Sequence, residues 1–274
     1  MYATPPSVAV VAHVFYPDVW AHIAKHLRKF PGDFELYASV PDGEQAAALR
    51  QLVLTDFPLA QIVACENRGR DIAPFMQIME RFDLYTRDAV LKIHTKKSPH
   101  LGAEGALWMD WILQSCLGDE ATILSILEKF AALAQIGMIY PNFAKTPIQT
   151  NLIHNVRWLD ELCRRLEARG SFDWDFPAGS MFWFRGAALV PLRDLGIRSE
   201  HFEAEAGQTD GTLAHALERI FPLLVYKSRH AIVSINDPKA LTVSYLQNEF
   251  QKQLGGAPAP RKGFRQPKSR GRHR

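Results

Sequence analysis

Two polar segments of this 274-residue sequence have the residue types and spacing of phosphate-binding loops. The segment 66–71 reads ENRGRD, and its two guanidinium groups flank a glycine. An arginine fork donates two parallel hydrogen bonds to a phosphate, and an acid accepts from a ribose hydroxyl or a base N–H. The alternative is that both arginines are solvated and that Asp71 only caps a helix. The segment predicts nucleotide contacts from Asn67, Arg68, Gly69, Arg70 and Asp71.

The second segment, KIHTKKS at 92–98, ends an apolar run of strand length. Strand alternation sends Lys92 and His94 to one face and leaves Lys96 and Lys97 just beyond the strand end. Cations placed where negative charge develops stabilise a leaving diphosphate. The alternative is structural, because loop lysines are usually solvated and a single histidine is more often part of a core. We take His94, Lys96 and Lys97 as further predicted contacts.

Three acids beside a late helical segment are candidates for a general base. Glu203 and Glu205 precede the run GQTDGT at 207–212, and Asp210 stands where we expect a helix to begin. A reaction at a hydroxyl group needs one carboxylate within hydrogen-bond reach to take the proton. Asp210 is the main candidate and the glutamates are alternates. A helix-capping role for Asp210 is the alternative, and it would stabilise the anion and weaken it as a base.

A fourth segment, PAGSMFWFR at 177–185, combines a flexible glycine with several aromatic side chains. Gly179 permits close approach of the backbone to a ligand, and Trp183 offers a face for stacking on a sugar. The alternative is that these aromatic side chains belong to the core. Gly179 and Ser180 join the predicted nucleotide contacts.

These segments need a scaffold that brings several strand ends together. Short apolar runs alternate with helical periodicity in the first half of the chain, which is typical of a parallel sheet covered by helices. Ligands of such sheets bind at the carboxyl ends of the strands. The predicted strands are 8–15, 34–40, 61–65, 89–94, 137–140, 180–184, 223–226 and 231–235. The predicted helices are 19–30, 44–57, 71–84, 106–117, 120–134, 156–169 and 210–220.

The composition is that of a globular domain, with 47% apolar and 22% charged residues. No apolar stretch approaches the roughly 20 residues of a membrane-spanning helix. Residues 1–7 have no basic stretch followed by a sustained apolar segment, so we expect no secretory signal. Its three cysteines are widely spaced, which argues against a disulfide framework or a thiolate metal site. We predict one cytoplasmic domain over residues 1–254. P-loop, GxGxxG, HExxH, GxSxG and paired CxxC motifs are missing, which excludes the enzyme classes that carry them.

The formal net charge of +3 conceals a strongly basic carboxyl terminus. Seven of the last fourteen residues are Lys or Arg and none is acidic, so that the rest of the chain carries about −4. A Gly, Ala and Pro-rich stretch precedes them, which predicts a flexible basic tail over 255–274. Clustered cations near an anionic inner leaflet contribute about 1 kcal/mol each, which favours a peripheral position at the inner face of the cytoplasmic membrane. A solubilising tail without a partner is the alternative.

Taken in order, HVFYPD from His13, ENRGRDIAPF, LKIHTKKS, FPAGSMFWFR and GQTDGTLAHALERIF resemble the motif series of the rhamnan synthesis protein F family. The resemblance covers about residues 8–235. It implies a single α/β domain of the GT-A-like, Rossmann-like kind, with a mostly parallel central sheet flanked by helices. It also implies a glycosyltransferase of bacterial surface polysaccharides such as O-antigen, capsule or rhamnan.

The resemblance further implies how substrates are handled. A sugar, rhamnose or another deoxyhexose, would pass with inversion from a nucleotide-sugar donor such as dTDP-rhamnose to a glycan or a polyprenyl-linked glycan. His13 and the residues predicted above as nucleotide contacts would hold the donor. Asp210 would deprotonate the acceptor hydroxyl.

Metal use is a separate expectation from the resemblance. His94, Lys96 and Lys97 stand where many GT-A enzymes hold their metal-binding acids, which implies that cationic side chains stabilise the leaving diphosphate without a metal. Mg²⁺ or Mn²⁺ stays open as an alternative, with Asp71, Asp210 or His230 as ligands.

Three other functions fit parts of the sequence. A scaffold protein of a polysaccharide assembly complex would keep the fold without turnover. An enzyme that cleaves or isomerises sugar nucleotides would bind the same donor. A nucleic-acid-binding protein would use the basic terminus, but the acidic balance of the remaining chain argues against it, and we predict no nucleic-acid partner.

Overall fold

The computed structural model describes residues 6–97, 103–152, 154–168 and 172–235. Its strands are β1 (Val8–His13), β2 (Glu35–Pro41), β3 (Gln61–Cys65), β4 (Ala89–His94), β5 (Ile136–Pro141), β6 (Lys145–Pro147), β7 (Asp175–Pro177), β8 (Phe182–Phe184) and β9 (Ala231–Ile235). Its helices are α1 (Pro17–Leu27), α2 (Ala46–Asp56), α3 (Ile72–Arg81), α4 (Ala103–Leu117), α5 (Glu120–Ala132), α6 (Val156–Arg165), α7 (Pro191–Asp194) and α8 (Leu213–Lys227).

The main sheet has seven strands in the order β3-β2-β1-β4-β8-β5-β9. Strand β8 runs antiparallel to β4 and β5, and the other pairings in this sheet are parallel. The predicted α/β fold class, a mostly parallel sheet flanked by helices in a Rossmann-like domain, is confirmed. Strand order reverses beside β1, where β2 lies on one side and β4 on the other. Such a switch point leaves a crevice at the carboxyl ends of the two strands.

Hydrophobic alternation in the inner strands builds one core on each face of the sheet. Ala9 and Val11 of β1 belong to the core that includes α3 and α8. Val10 and Ala12 belong to the core formed with α1, α2, α4 and α5. Because both faces are covered, β1 and β4 are buried along nearly their whole length, as parallel strands usually are.

One predicted element differs from the structure. The run 223–226 is not a strand but the last part of α8, which continues through Pro222 to Lys227. A short apolar run has no periodicity that separates a strand from a buried helix. Leu224 and Val225 are fully buried in the core with α3, and this burial maintains the helix although Pro222 lacks a backbone donor.

Two further predictions concern the carboxyl terminus and the membrane. The domain limit at residue 254 and the basic tail 255–274 lie outside the described residues and stay predictions. Within the part of the chain that the structure describes, no helix combines the length and apolarity needed to cross a membrane.

Candidate functional site

The ends of three adjacent strands set a row of polar side chains at the switch point. His13, the last residue of β1, pairs in register with His94 at the end of β4 and with Ser39 of β2. The Nδ1 atom of His13 lies 3.0 Å from Ser39 Oγ. The sheet register thus brings two predicted contacts, His13 and His94, side by side where ligands of such sheets bind.

Lys92 is a buried ammonium group whose three donors are all used inside the protein. Its Nζ lies 2.5 Å from Asp71 Oδ2, 2.8 Å from Ser180 O and 3.0 Å from Ser180 Oγ. Its side chain is only 1% exposed, and Nζ also lies 5.3 Å from the centre of the Phe75 ring. Lys92 therefore joins β4 to the start of α3 and to the turn before β8. We name Asp71, Lys92, His94 and Ser180 the lysine cluster.

Electrostatics in the lysine cluster favour one anion, one ammonium and neutral imidazole. Burial opposes ionisation of Asp71, but His94 and Lys92 outweigh it and hold the pKa of Asp71 below its usual range. Burial lowers the pKa of His94 to about 3, against the opposing effect of Asp71. It lowers the pKa of His13 to about 4 in the same way. Near neutral pH both imidazoles are uncharged, so each can donate or accept a hydrogen bond toward a ligand.

A strained turn places Ser180 over Lys92. Gly179 has φ +90° and Ser180 has φ +54°, so both residues are in left-handed backbone conformations. A side chain at Gly179 would approach Trp108 Nε1 to 3.3 Å. A non-glycine residue in this region is costly and persists where its surroundings fix it, and here both oxygens of Ser180 accept from Lys92.

The predicted ENRGRD loop is fastened to the loop that carries the predicted acids. Arg68 donates from its guanidinium to Phe202 O at 2.8 Å, and Arg70 donates to Gln208 O. The backbone N–H of Arg70 donates to Glu205 Oε1 at 3.0 Å. Two motifs separated by more than a hundred residues therefore form one structure. Both guanidinium groups have protein partners, which makes them anchors of this loop as well as potential phosphate contacts.

Gly69 lets these two loops approach each other. A side chain there would lie 2.6 Å from the Phe202 ring and 2.7 Å from the Cβ of Ala73. Its φ of +67° also favours glycine. Gly69 therefore acts through packing and backbone conformation.

The three predicted bases each have partners in the structure. Asp210 Oδ1 accepts from Asn155 Nδ2 at 2.9 Å and from Arg219 at 3.0 Å. Burial raises the pKa of Asp210, but Asn155 and Arg219 outweigh it, so that the pKa lies below its usual value. Helix α8 begins at Leu213, so Asp210 does not cap it directly. Instead Glu203 accepts from the backbone N–H of Leu213.

Three predicted contacts lie on the solvent side of the edge. Asn67, Lys96 and Lys97 are exposed. Lys97 pairs with Asp18 at 2.6 Å, whereas Lys96 forms no ion pair within the described residues. The charge of Lys96 lowers the pKa of His94, which puts this ammonium group near the lysine cluster. Lys96 is thus a cation that can meet an incoming anion.

The residues at the end of β4 do not fit a divalent-cation site. The carboxylate there, Asp71, already accepts from Lys92, and a metal ion would face the ammonium groups of Lys92 and Lys96. Among the described side chains, no group of three or more His, Cys, Asp or Glu is arranged to hold a metal ion.

Two residues of this edge are missing from the contacts predicted by sequence. Lys92 has a usable signal, because a lysine inside the apolar strand AVLKIH must find a buried partner. Glu218 has no such signal, since it reads as an ordinary helix residue. Its Oε1 accepts from the backbone N–H of Gly179 at 2.8 Å.

Comparison with known proteins finds a family model and two curated relatives that match this chain. A family model described as rhamnan synthesis protein F matches residues 1–230. Two curated relatives from two strains of Xanthomonas campestris pv. campestris, both described as uncharacterized protein WxcX, are 32% identical to this chain over 241 residues. The matched region covers 86% of this chain and 34% of each relative. The chain spans about a third of the length of the curated relatives it matches.

Proposed function

We propose that this chain, which belongs to the rhamnan synthesis protein F family, is a glycosyltransferase. The family takes part in polysaccharide synthesis, which supports this activity. The donor is a nucleotide sugar such as dTDP-rhamnose, and the acceptor is a glycan or a polyprenyl-linked glycan of a bacterial surface polysaccharide. We assign the reaction to the crevice at the carboxyl ends of β1 and β4.

The observation that carries this proposal is the lysine cluster at the switch point. The buried ammonium group of Lys92 uses all of its donors inside the protein. It thereby fixes Ser180 and also Asp71, the residue before α3. Neutral His13 and His94 lie beside it, and the ammonium group of Lys96, which pairs with no acid in the described part of the chain, lies at the rim. Such a pre-organised edge suits a diphosphate, which needs donors and positive charge in fixed positions.

Each part of the edge has a role in the proposed reaction. Lys96 and the guanidinium groups of Arg68 and Arg70 bind the diphosphate, and His13 and His94 donate hydrogen bonds to it or to the sugar. As the bond between the sugar and the diphosphate breaks, Lys96 stabilises the negative charge on the leaving group. Asp210, Glu203 and Glu205 are the sequence-derived candidates for the base. No step of this reaction runs through a metal ion.

The acceptor side of the proposal rests on the sequence. A polyprenyl-linked acceptor lies at the cytoplasmic face of the membrane, and the basic tail 255–274 would bring the enzyme to that surface. The proposed position is therefore peripheral, at the inner face of the cytoplasmic membrane.

Donor binding can be measured by thermal unfolding with dTDP, UDP, GDP and CMP and with their sugars. One nucleotide is expected to stabilise the protein by about 2.7 kcal/mol at a ligand concentration 100 times Kd. The stabilisation is expected to be the same in EDTA and in Mn²⁺. Lys96→Ala is expected to weaken binding about tenfold, since one charge-assisted contact to phosphate is lost.

Lys25→Ala is the matched control, because Lys25 is also an exposed lysine but lies on α1. It should bind the nucleotide like the wild type. Equal binding by Lys96→Ala would remove Lys96 from the donor site, and a wild type that no nucleotide stabilises would contradict the proposed donor site.

A further inference from the structure

Glu218 lies beside the lysine cluster on the first half of α8. Its Oε1 accepts from the backbone N–H of Gly179 at 2.8 Å, and the next residue, Ser180, holds Lys92 through both of its oxygens. Gly179 also packs beside Trp108 Nε1. The carboxylate is thus fixed at the same edge as the proposed donor site, and one hydrogen bond sets its orientation.

The charges around Glu218 leave its carboxylate available for a proton. Within the described residues no Lys, Arg or His forms an ion pair with it, because the neighbouring Arg219 turns to Asp210 at 3.0 Å. The charged groups that act on Glu218 are Lys96, Asp71 and Arg219. Burial raises the pKa of Glu218 above its usual value, against the effect of Lys96. A carboxylate with a raised pKa is a stronger base near neutral pH.

The other carboxylates of this region have structural partners that a base would have to give up. Glu203 accepts from the first backbone N–H of α8 and from Trp158 Nε1 at 3.0 Å. Glu205 accepts from the Arg70 N–H. Asp210 forms an ion pair with Arg219 and accepts from Asn155, so that protonating it would break a charge-assisted pair. Among the described residues no cation pairs with Glu218, and in contrast to the exposed Glu205 it is half-buried beside the lysine cluster.

We propose that Glu218 is the general base of the transfer, which rests on the transferase function proposed above. Its carboxylate takes the proton of the acceptor hydroxyl, and the acceptor oxygen forms a bond to the anomeric carbon of the sugar. The bond from that carbon to the diphosphate oxygen breaks, and its electron pair leaves with the nucleoside diphosphate. Glu218 ends the step as a carboxylic acid, and Lys96 stabilises the departing anion. Asp210 then acts as a positioning residue that ties its loop to α8.

The test is release of nucleoside diphosphate from dTDP-rhamnose in the presence of a polyprenyl-diphosphate-linked disaccharide, measured for wild type, Glu218→Gln and Asp210→Asn. Glutamine keeps an oxygen for the Gly179 N–H but cannot take the proton. Glu218→Gln is expected to lower turnover by about 10²- to 10⁴-fold. Its unfolding midpoint and its affinity for the nucleotide should remain those of the wild type.

Asp210→Asn separates the two candidates. It is expected to keep far more turnover than Glu218→Gln and to lower the unfolding midpoint, since the Arg219 pair is lost. An active wild type with an equally active Glu218→Gln overturns the role of Glu218 alone. A wild type that releases no nucleoside diphosphate overturns the transferase function on which this role rests.

Discussion

Lys92→Met is expected to lower the free energy of unfolding by about 3–5 kcal/mol, because it removes the ammonium partner of the buried Asp71 carboxylate and leaves the neutral imidazole of His94, at 3.4 Å, in its place. Lys92 is 1% and Asp71 15% exposed, so solvent replaces little of the lost interaction. Methionine keeps most of the side-chain volume, and therefore the loss reports charge more than packing. Urea unfolding measured at pH 7.5 gives the difference.

A double variant and a surface pair serve as controls. Asp71→Asn together with Lys92→Met removes the unpaired charge and is expected to be more stable than Lys92→Met alone. Lys97→Met breaks the exposed pair with Asp18 and should leave the unfolding midpoint nearly unchanged. Additive losses in the double variant would contradict the coupling of Asp71 and Lys92.

Stability is expected to fall steeply from pH 6.5 to about pH 4. Burial lowers the pKa of His94 to about 3 and that of His215 to about 4, from 6.5. In this range the unfolded chain binds protons at both histidines that the native protein does not bind. Each histidine therefore removes about 1.4 kcal/mol of stability per pH unit as the pH falls. The lowered pKa of Asp71 causes a further loss of stability only below about pH 3.8, the ordinary pKa of an aspartate.

The measurement is a series of urea unfolding curves between pH 5 and pH 7.5, read as the slope of stability against pH. Below about pH 6, His215→Asn is expected to reduce that slope by up to about 1.4 kcal/mol per pH unit, whatever its effect on stability at pH 7.5. Gln51→Ala, at an exposed position whose side chain does not titrate, is the control and should leave the slope unchanged. An unchanged slope in His215→Asn would show that His215 is protonated in the native protein.

Local sequence pattern was sufficient to predict the main sheet and the edge at which its parallel strands end. Apolar runs separated by helical periodicity predicted β1 to β4 and the helices between them, and parallel strands must end at one edge. His13 and His94 could therefore be assigned to the same side. The antiparallel direction of β8 could not be predicted, because three buried residues carry no directional signal.

The partners of the predicted site residues could not be predicted, since they depend on contacts between distant segments. Arg68 and Arg70 are typical of phosphate binding by residue type, yet both also fasten the 202–208 loop. Asp210 is typical of a base by position, yet it pairs with Arg219 nine residues later. Glu218 has an ordinary helical context, and only the fold brings it to Gly179.

Transfer of labelled sugar is the most direct test of the proposed function. Wild-type protein is incubated with dTDP-[¹⁴C]rhamnose and a polyprenyl-diphosphate-linked disaccharide, and the organic-soluble label is counted with and without EDTA. The proposed function predicts a labelled, lengthened lipid-linked glycan in both conditions and much less of it with Lys96→Ala. A protein that binds the nucleotide sugar but moves no label to the acceptor would contradict it and would favour a scaffold in polysaccharide assembly.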